Sequence, residues 1–368
     1  MNYSELLQLA KGWGNFISDR IIIWRLQYTD YIIDTAKKLL AIPSPTGFTH
    51  MAADFVKKEL EGMGYAPVLT RKGAVLCDLG GKDTEHGLLL AAHMDTLGAM
   101  VAQIKSNGRL KLTNVGGLNP NNTEAENCKV YTRDGKCYDA TFQLTDASIH
   151  VNGDYSDTKR TYDTMEALLD EPVHSAEDVG KLGIMAGDFV CFDPRTVVTK
   201  SGYIKSRFLD DKLSTCILLG YAKYLKEEQV QPKRQVYILI TSYEEVGLGG
   251  AASIPENVEE MISVDMGCVG EGLGCDETMV SICAKDSMGP YDYQVVSRMV
   301  ELAKEQSIGF AVDIYPHYGS DVDAALKAGY DIRHGLIGPG VYASHGYERS
   351  HRLGAENTFR LLCAYTVA

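Results

Sequence analysis

Gln235 to Thr241 reads QVYILIT, and Ser242-Tyr243-Glu244-Glu245-Val246-Gly247-Leu248-Gly249-Gly250 follows at once. Seven residues of largely β-branched, aromatic and aliphatic character predict a buried strand. Two adjacent carboxylates at its C-terminal end stand where open α/β sheets keep their ligand sites. Such a pair can divide its work, one group gripping a metal and the other moving protons. The glycine-rich turn Gly247–Gly250 is expected to leave room for a substrate. A Glu-Glu pair alone is more often a solvated strand end, so its meaning depends on what the rest of the chain brings to it.

Working outward, other apolar runs end in the same way. Gly87–Ala92 (GLLLAA) ends in His93-Met94-Asp95, and Met261–Val264 ends in Asp265. Leu213–Leu225 has helical character and is preceded by Asp210-Asp211. Upstream, Ile32, Ile33, Ala36, Leu39 and Leu40 fall at helical spacing before the breaker Pro43-Ser44-Pro45-Thr46-Gly47. A second helix carries Met51, Phe55, Leu60 and Met63, and a strand pair is expected over 66–70 and 74–78. Downstream, helices are predicted over 291–306, 321–327 and 356–365. Between Gly98 and residue 205 the texture changes to short alternating runs broken by Asn-Gly, Gly-Gly and Asp-Gly turns. This stretch reads as a β-rich insertion, with a hairpin at Asp134-Gly135 and one amphipathic helix over 162–169. The domains are therefore placed at 31–97 plus 206–368, with the insertion at 98–205. Residues 1–30 form an N-terminal extension to which no role is assigned.

The bulk numbers narrow the class of function. With 368 residues and 45% hydrophobic content, the chain can bury a full core. A net charge of −13 argues against a nucleic-acid partner, because phosphate contacts need Lys and Arg in excess. No apolar run approaches the roughly 20 residues that span a bilayer, so no membrane partner is expected. Nine cysteines without CxxC spacing speak against a disulfide framework or a Cys-type zinc site, and a reducing cytoplasm fits best.

Each candidate residue has an ordinary explanation on its own. A lone His at a strand end is more often packed than ligating, and an Asp pair before a helix is more often a cap. In combination, several buried elements each deliver a ligand-type residue at a boundary that can converge on one sheet edge. A last histidine, His345, lies in Ala343-Ser344-His345-Gly346-Tyr347-Glu348-Arg349-Ser350-His351.

The order AAHMDTLGAMV, SRFLDDK, TSYEEVGLGGA, SVDMG and a late ASH resembles the tetrahedral or glutamyl aminopeptidases, a family of co-catalytic dinuclear metallopeptidases. Within it, GDFVCFDPRT, SRFLDDK and GPGVYASHGYERSH look like the subgroup associated with clusters for the osmoprotectant N-acetylglutaminylglutamine amide. The resemblance runs from about Tyr31 to the C-terminus. It implies an α/β fold: a mixed-sheet, helix-sandwiched zinc-peptidase-like catalytic domain with an inserted β-rich dimerisation domain.

It also implies two divalent metal ions, zinc first, with cobalt or manganese as alternatives. One would be held by His93, Asp210 and Asp265, the other by Asp210, Glu245 and His345, with Asp210 bridging. His345 is preferred over His351 as the last ligand. Asp95 would fix the tautomer of His93, and Glu244 would be the general base. A cis peptide at Asp210-Asp211 is a further implication. The implied activity is removal of N-terminal residues from short peptides by metal-activated water, in a homo-oligomer that in this family can be a tetrahedral dodecamer. The alternative keeps the dinuclear site but makes the chain a deacylase or amidase of an N-acylated dipeptide-like metabolite. A glycosidase using two carboxylates would leave His93, Asp210, Asp265 and His345 without a task.

Overall fold

The computed structural model describes residues 16–367, with side chains from residue 27 onward. Three parallel strands set the architecture. Arg234–Thr241 lies beside Asp83–His93 with Thr241 opposite His93, and Val258–Val264 lies on the other side of Asp83–His93. Sequence explains why these strands are central. Leu88, Leu89, Leu90, Ala91 and Ala92 are all buried, and alternate residues enter different layers. Leu88, Leu90 and Ala92 join the larger core with Val236, Ile238, Ile240 and Val264, whereas Leu89 and Ala91 join a smaller one with Leu239 and Met261. A strand apolar on both faces must be covered on both, and each buried leucine contributes about 1.5–3 kcal/mol.

The helices Phe16–Leu40, His50–Gly62, Leu209–Glu227, Tyr293–Glu305 and Arg352–Val367 supply the larger layer, and Asp321–Lys327 packs in the smaller one. The full sheet has twelve strands and is mixed. Val75–Gly80 runs antiparallel to Arg234–Thr241, and Arg333–Tyr342 runs parallel to Val258–Val264. The expected helix over 31–42 begins at Phe16, so residue 30 lies inside it. Asp30 there receives Arg352 of the last helix at 2.6 Å. Residues 1–15 of the proposed extension lie outside the described residues.

Strands between Gly98 and Phe192 close into a six-stranded barrel. The helix predicted over 162–169 is wrong. Met165–Leu169 is a strand paired with Cys137–Leu144, Phe142 opposite Ala167. Met165 and Ala167 face inward, and eight residues are too few to separate a period of 2 from one of 3.6. The one α-helix among these residues is Ala176–Leu182, started by Ser175, whose side chain accepts from the Asp178 amide. Its Ser-x-x-Asp start is an N-cap signal that the sequence reading passed over.

The close approach of two strands is fixed by a glycine. A β-carbon on Gly338 would stand 1.5 Å from the carbonyl oxygen of Asp265, whose amide bonds to Ile337 at 2.9 Å. Gly338→Ala is therefore expected to destabilise the chain by about 3 kcal/mol or more, the upper end of the cost of overpacking. An unchanged urea midpoint would contradict this packing.

Candidate metal centre

The parallel strands deliver their C-terminal residues to one edge, and the start of the helix Leu209–Glu227 meets them there. Asp210 and Asp211 have non-helical backbone angles and are joined by a cis peptide. His93 Nδ1 lies 2.9 Å from the backbone carbonyl of Asp95, so that nitrogen carries the proton and donates. Nε2 is left to face Asp210 Oδ1 at 3.2 Å and Glu244 Oε2 at 3.7 Å. The other oxygen of Asp210 faces a second imidazole, with Oδ2 3.7 Å from His345 Nε2. Glu245 Oε2 stands 3.5 Å from that same nitrogen. One carboxylate thus presents separate oxygens to two histidines.

Two compact donor groups result. His93, Asp210 and Glu245 have ligand atoms within 4.8 Å of one another, as do His93, Asp211 and Asp265. The structure brings together His93, Asp210, Glu244, Glu245, Asp265 and His345. It also adds Asp211, which sequence reasoning treated as the cap-like partner of Asp210. Asp211 Oδ2 accepts the His93 amide at 3.1 Å, while its buried Oδ1 has no hydrogen-bond partner. His351 stays apart. Its Nδ1 accepts the Leu353 amide and its Nε2 meets the Ser201 carbonyl at 2.9 Å, so both ring nitrogens are engaged.

The expectation for Asp95 needs correction. Its carbonyl, not its carboxylate, fixes the His93 tautomer; the nearer carboxylate oxygen is 3.8 Å from Nδ1. The carboxylate instead accepts from the Glu244 amide at 3.2 Å, the Glu245 amide at 3.4 Å and the Thr46 hydroxyl at 2.6 Å. Because Asp95 is two residues beyond the strand end, its side chain reaches across to the neighbouring acidic turn and orients it. The glycine turn departs from expectation at Gly249 and Gly250, whereas Gly247 borders open space on the cleft side. A β-carbon on Gly249 would stand 2.0 Å from Asp321 Oδ1, and one on Gly250 would stand 2.2 Å from the Asp321 carbonyl. These glycines admit the start of the helix Asp321–Lys327 rather than a substrate.

Glu348 is a further residue the sequence reading missed. It is buried, and its carboxylate spans two segments of the centre, accepting the Asp210 amide at 3.1 Å and the His345 amide at 3.2 Å. Ser344 adds a hydroxyl bond to Asp210 Oδ2 at 2.9 Å. A Glu three residues after a candidate His was a weak signal, because only the fold shows that it meets Asp210.

The electrostatics fit a cation site. Burial, and then the charge of Asp265, raises the Asp211 carboxyl well above the usual range. Burial also raises Glu244, opposed by His93 and reinforced by Asp265, and it raises Glu245, reinforced by Asp210. Asp265 is pushed up to about 7 by burial and the neighbouring Asp210. Burial alone would lower His93, but the hydrogen bond that its protonated form gives to Asp210 and the surrounding carboxylates raise it well above an ordinary imidazole. Buried anions in such excess call for compensating positive charge, and mixed imidazole and carboxylate donors suit zinc, cobalt or manganese. The donor set therefore fits two divalent ions. On it opens a cleft of about 520 Å³, lined also by Gly247, Cys268, His317, Tyr318, Asp323 and Lys327.

Comparison with known proteins matches residues 73–361 to the M42 glutamyl aminopeptidase family. The chain is 44% identical over 333 residues to the aminopeptidase-named YhfE of Bacillus subtilis strain 168, covering 90% of this chain and 96% of that one. It is 24% identical over 253 residues to the glutamyl aminopeptidase of Lactococcus lactis, covering 67% and 69% of the two chains. Among solved structures, the TET1 peptidase of Pyrococcus horikoshii, described as assembling into a tetrahedron or a large octahedral shell, superposes with a TM-score of 0.80. That match has 21% identity and covers 91% of this chain and 99% of the other; at that identity the likeness is one of fold.

Glu348→Gln replaces one acceptor oxygen with an amide NH2 group, a donor that faces a backbone N–H. The metal-free chain is expected to lose about 1–3 kcal/mol of stability, the cost of leaving a buried donor unsatisfied. Urea unfolding measures it, and an unchanged midpoint would show that the clamp carries no load.

Proposed function

The chain belongs to the M42 glutamyl aminopeptidase family, and from that premise we propose a dinuclear aminopeptidase that removes N-terminal residues from short peptides. The observation that carries the reading is the division of Asp210 between His93 and His345. His93, Asp210 and Asp265 would hold one ion and Asp210, Glu245 and His345 the other, zinc being the first choice. Asp211 stands close enough to Asp265 to support the first position. When bound, such ions polarise the scissile carbonyl and lower the pKa of water.

The chain's own residues supply the rest. Glu244 lies next to a proposed ligand, and its Oε2 is 3.7 Å from His93 Nε2. It would take a proton from the attacking water and return it to the leaving amine. Asp95 fixes the direction of that carboxylate through the Glu244 and Glu245 amides. The protonated Nδ1 of His93 keeps Nε2 available as a donor atom to the cation. The cleft of about 520 Å³ at the centre is the space proposed for the substrate. The relatives whose names state an activity are aminopeptidases, which favours a free amine over an N-acylated dipeptide.

The domain assignment, with 98–205 as a dimerisation and gating insertion, belongs to the same reading. Ile149, Val151 and Met185 expose apolar side chains in that region. A homo-oligomer is proposed, with a tetrahedral particle by analogy with the Pyrococcus horikoshii protein. All nine cysteines are free, which supports a cytoplasmic setting. No helix among the described residues is long and apolar enough to cross a membrane.

Glu244→Gln is expected to keep its metal content while turnover falls by about 10²–10⁴. Metal analysis and steady-state rates on a panel of unblocked peptides measure the two effects, and near-normal turnover would remove Glu244 from the role. Peptides with a free N-terminus should be cleaved and their N-acetylated counterparts should not. The reverse preference would replace the aminopeptidase reading with the deacylase one.

A further inference from the structure

His345 reaches the centre on strained backbone. It holds φ +63°, and Ala343 holds φ +59°. Residues with a β-carbon persist there only where their surroundings over-determine them. Much of what surrounds His345 comes from the barrel. Asn122, in the short turn Pro120–Asn122, donates to the His345 carbonyl at 2.8 Å. Gly117 lies flat against the imidazole: a β-carbon there would stand 2.8 Å from Nδ1 and 3.1 Å from Cε1. Gly116 packs close against Leu97, its β-carbon position 2.7 Å from Leu97 Cδ2, and lies at ordinary contact distance, 3.4 Å, from Glu245 Cβ.

The loop is itself anchored to the segment that carries His345. Buried Arg207 donates to the Asn122 carbonyl at 2.6 Å and to Glu126 at 2.5 Å. Its guanidinium and that of Arg195 approach the ring of Tyr347, at 5.8 Å and 4.6 Å from the centroid. The Tyr347 hydroxyl returns a bond to the Arg195 carbonyl at 2.8 Å. Barrel loop, Arg207 and the 343–348 segment thus form one connected set of contacts.

We propose that the barrel loop 116–122 is a positioning element of the metal centre, holding the imidazole of His345 and thereby setting the affinity of the metal position that His345 completes. This rests on the dinuclear reading above and deepens it. The side chain of His345 is 43% exposed, against 2% for His93. A ring open to solvent on one side has more orientations to lose on ligating a cation. The Gly117 wall removes some of them before the cation arrives. The inserted barrel then has two tasks, one toward its proposed partner copy and one toward the chemistry.

The test compares the full-length wild type with Gly117→Ala and Asn122→Ala. Each is stripped of metal and titrated with zinc against a chromophoric chelator, and the melting temperature of each metal-free chain is recorded. The expected result is selective: one of two zinc sites weakens by about 10–100-fold, the range for losing a group that orients a ligand. The other site keeps its affinity, and the metal-free melting temperature holds. Two unchanged sites overturn the proposal. So do two sites weakened together with a lower melting temperature, which would make the loop general scaffolding. A wild type that fails to bind two zinc ions sinks the dinuclear reading instead. In that event, metal-free crystals of Gly117→Ala decide the loop's role: a turned His345 ring supports it, and an unmoved ring overturns it.

Discussion

Everything in this structure leans on one carboxylate shared between two imidazoles in a buried place. Asp210 gives Oδ1 to His93 and Oδ2 to His345, and Asp211, Glu244, Glu245 and Asp265 stand around it. Packing so many acids together costs more than two histidines can return, which is why burial and mutual repulsion push four of these carboxyls toward their neutral forms. The fold holds them there anyway. Three parallel strands, apolar on both faces, bring His93, the Glu244-Glu245 turn and Asp265 to a common edge. The helix Leu209–Glu227 presents its first residues to the same edge. The stability of the sheet compels the proximity of the acids, and bound divalent cations would make that proximity favourable.

Around this centre lies a second tier of groups that never face the cleft chemistry directly. The Asp95 carboxylate orients the acidic turn by its amides, Glu348 ties Asp210 to His345, and Thr241 holds Asp321 by a 2.6 Å hydroxyl bond. Gly250 and Gly338 let backbones approach where any β-carbon would collide, and Gly249 makes room for the Asp321 carboxylate. Lys72 closes the far end of the acidic turn, donating to the Leu248 and Gly249 carbonyls. These residues share a logic: each satisfies or admits a neighbouring part of the chain rather than substrate. Their substitution should act on the geometry of the site before it acts on the reaction.

The sequence made the main sheet and its terminal residues legible because buried parallel strands are near-continuous apolar runs, and GLLLAA and QVYILIT could hardly be anything else. It also revealed which residue types ended those runs. It did not reveal what each side chain touches. Asp95 looked like a partner of His93 because they are two apart, yet extended backbone sends its carboxylate to the neighbouring strand's turn. Gly249 and Gly250 looked like an opening because glycine removes bulk, and that bulk was removed for Asp321. Met165–Leu169 looked helical because a short run fits either period until a partner strand decides. Glu348 and Gly117 were invisible because their meaning lies in contacts with segments more than a hundred residues away in sequence, Asp210 and His345 respectively.

The bridging role of Asp210 is the claim on which the rest depends, and anomalous diffraction from crystals grown with zinc measures it directly. Two peaks about 3.5–4 Å apart, one beside His93 and one beside His345 with Asp210 between them, are the predicted result. A single peak, or a pair of peaks with Asp210 left out of contact with either, would contradict the account.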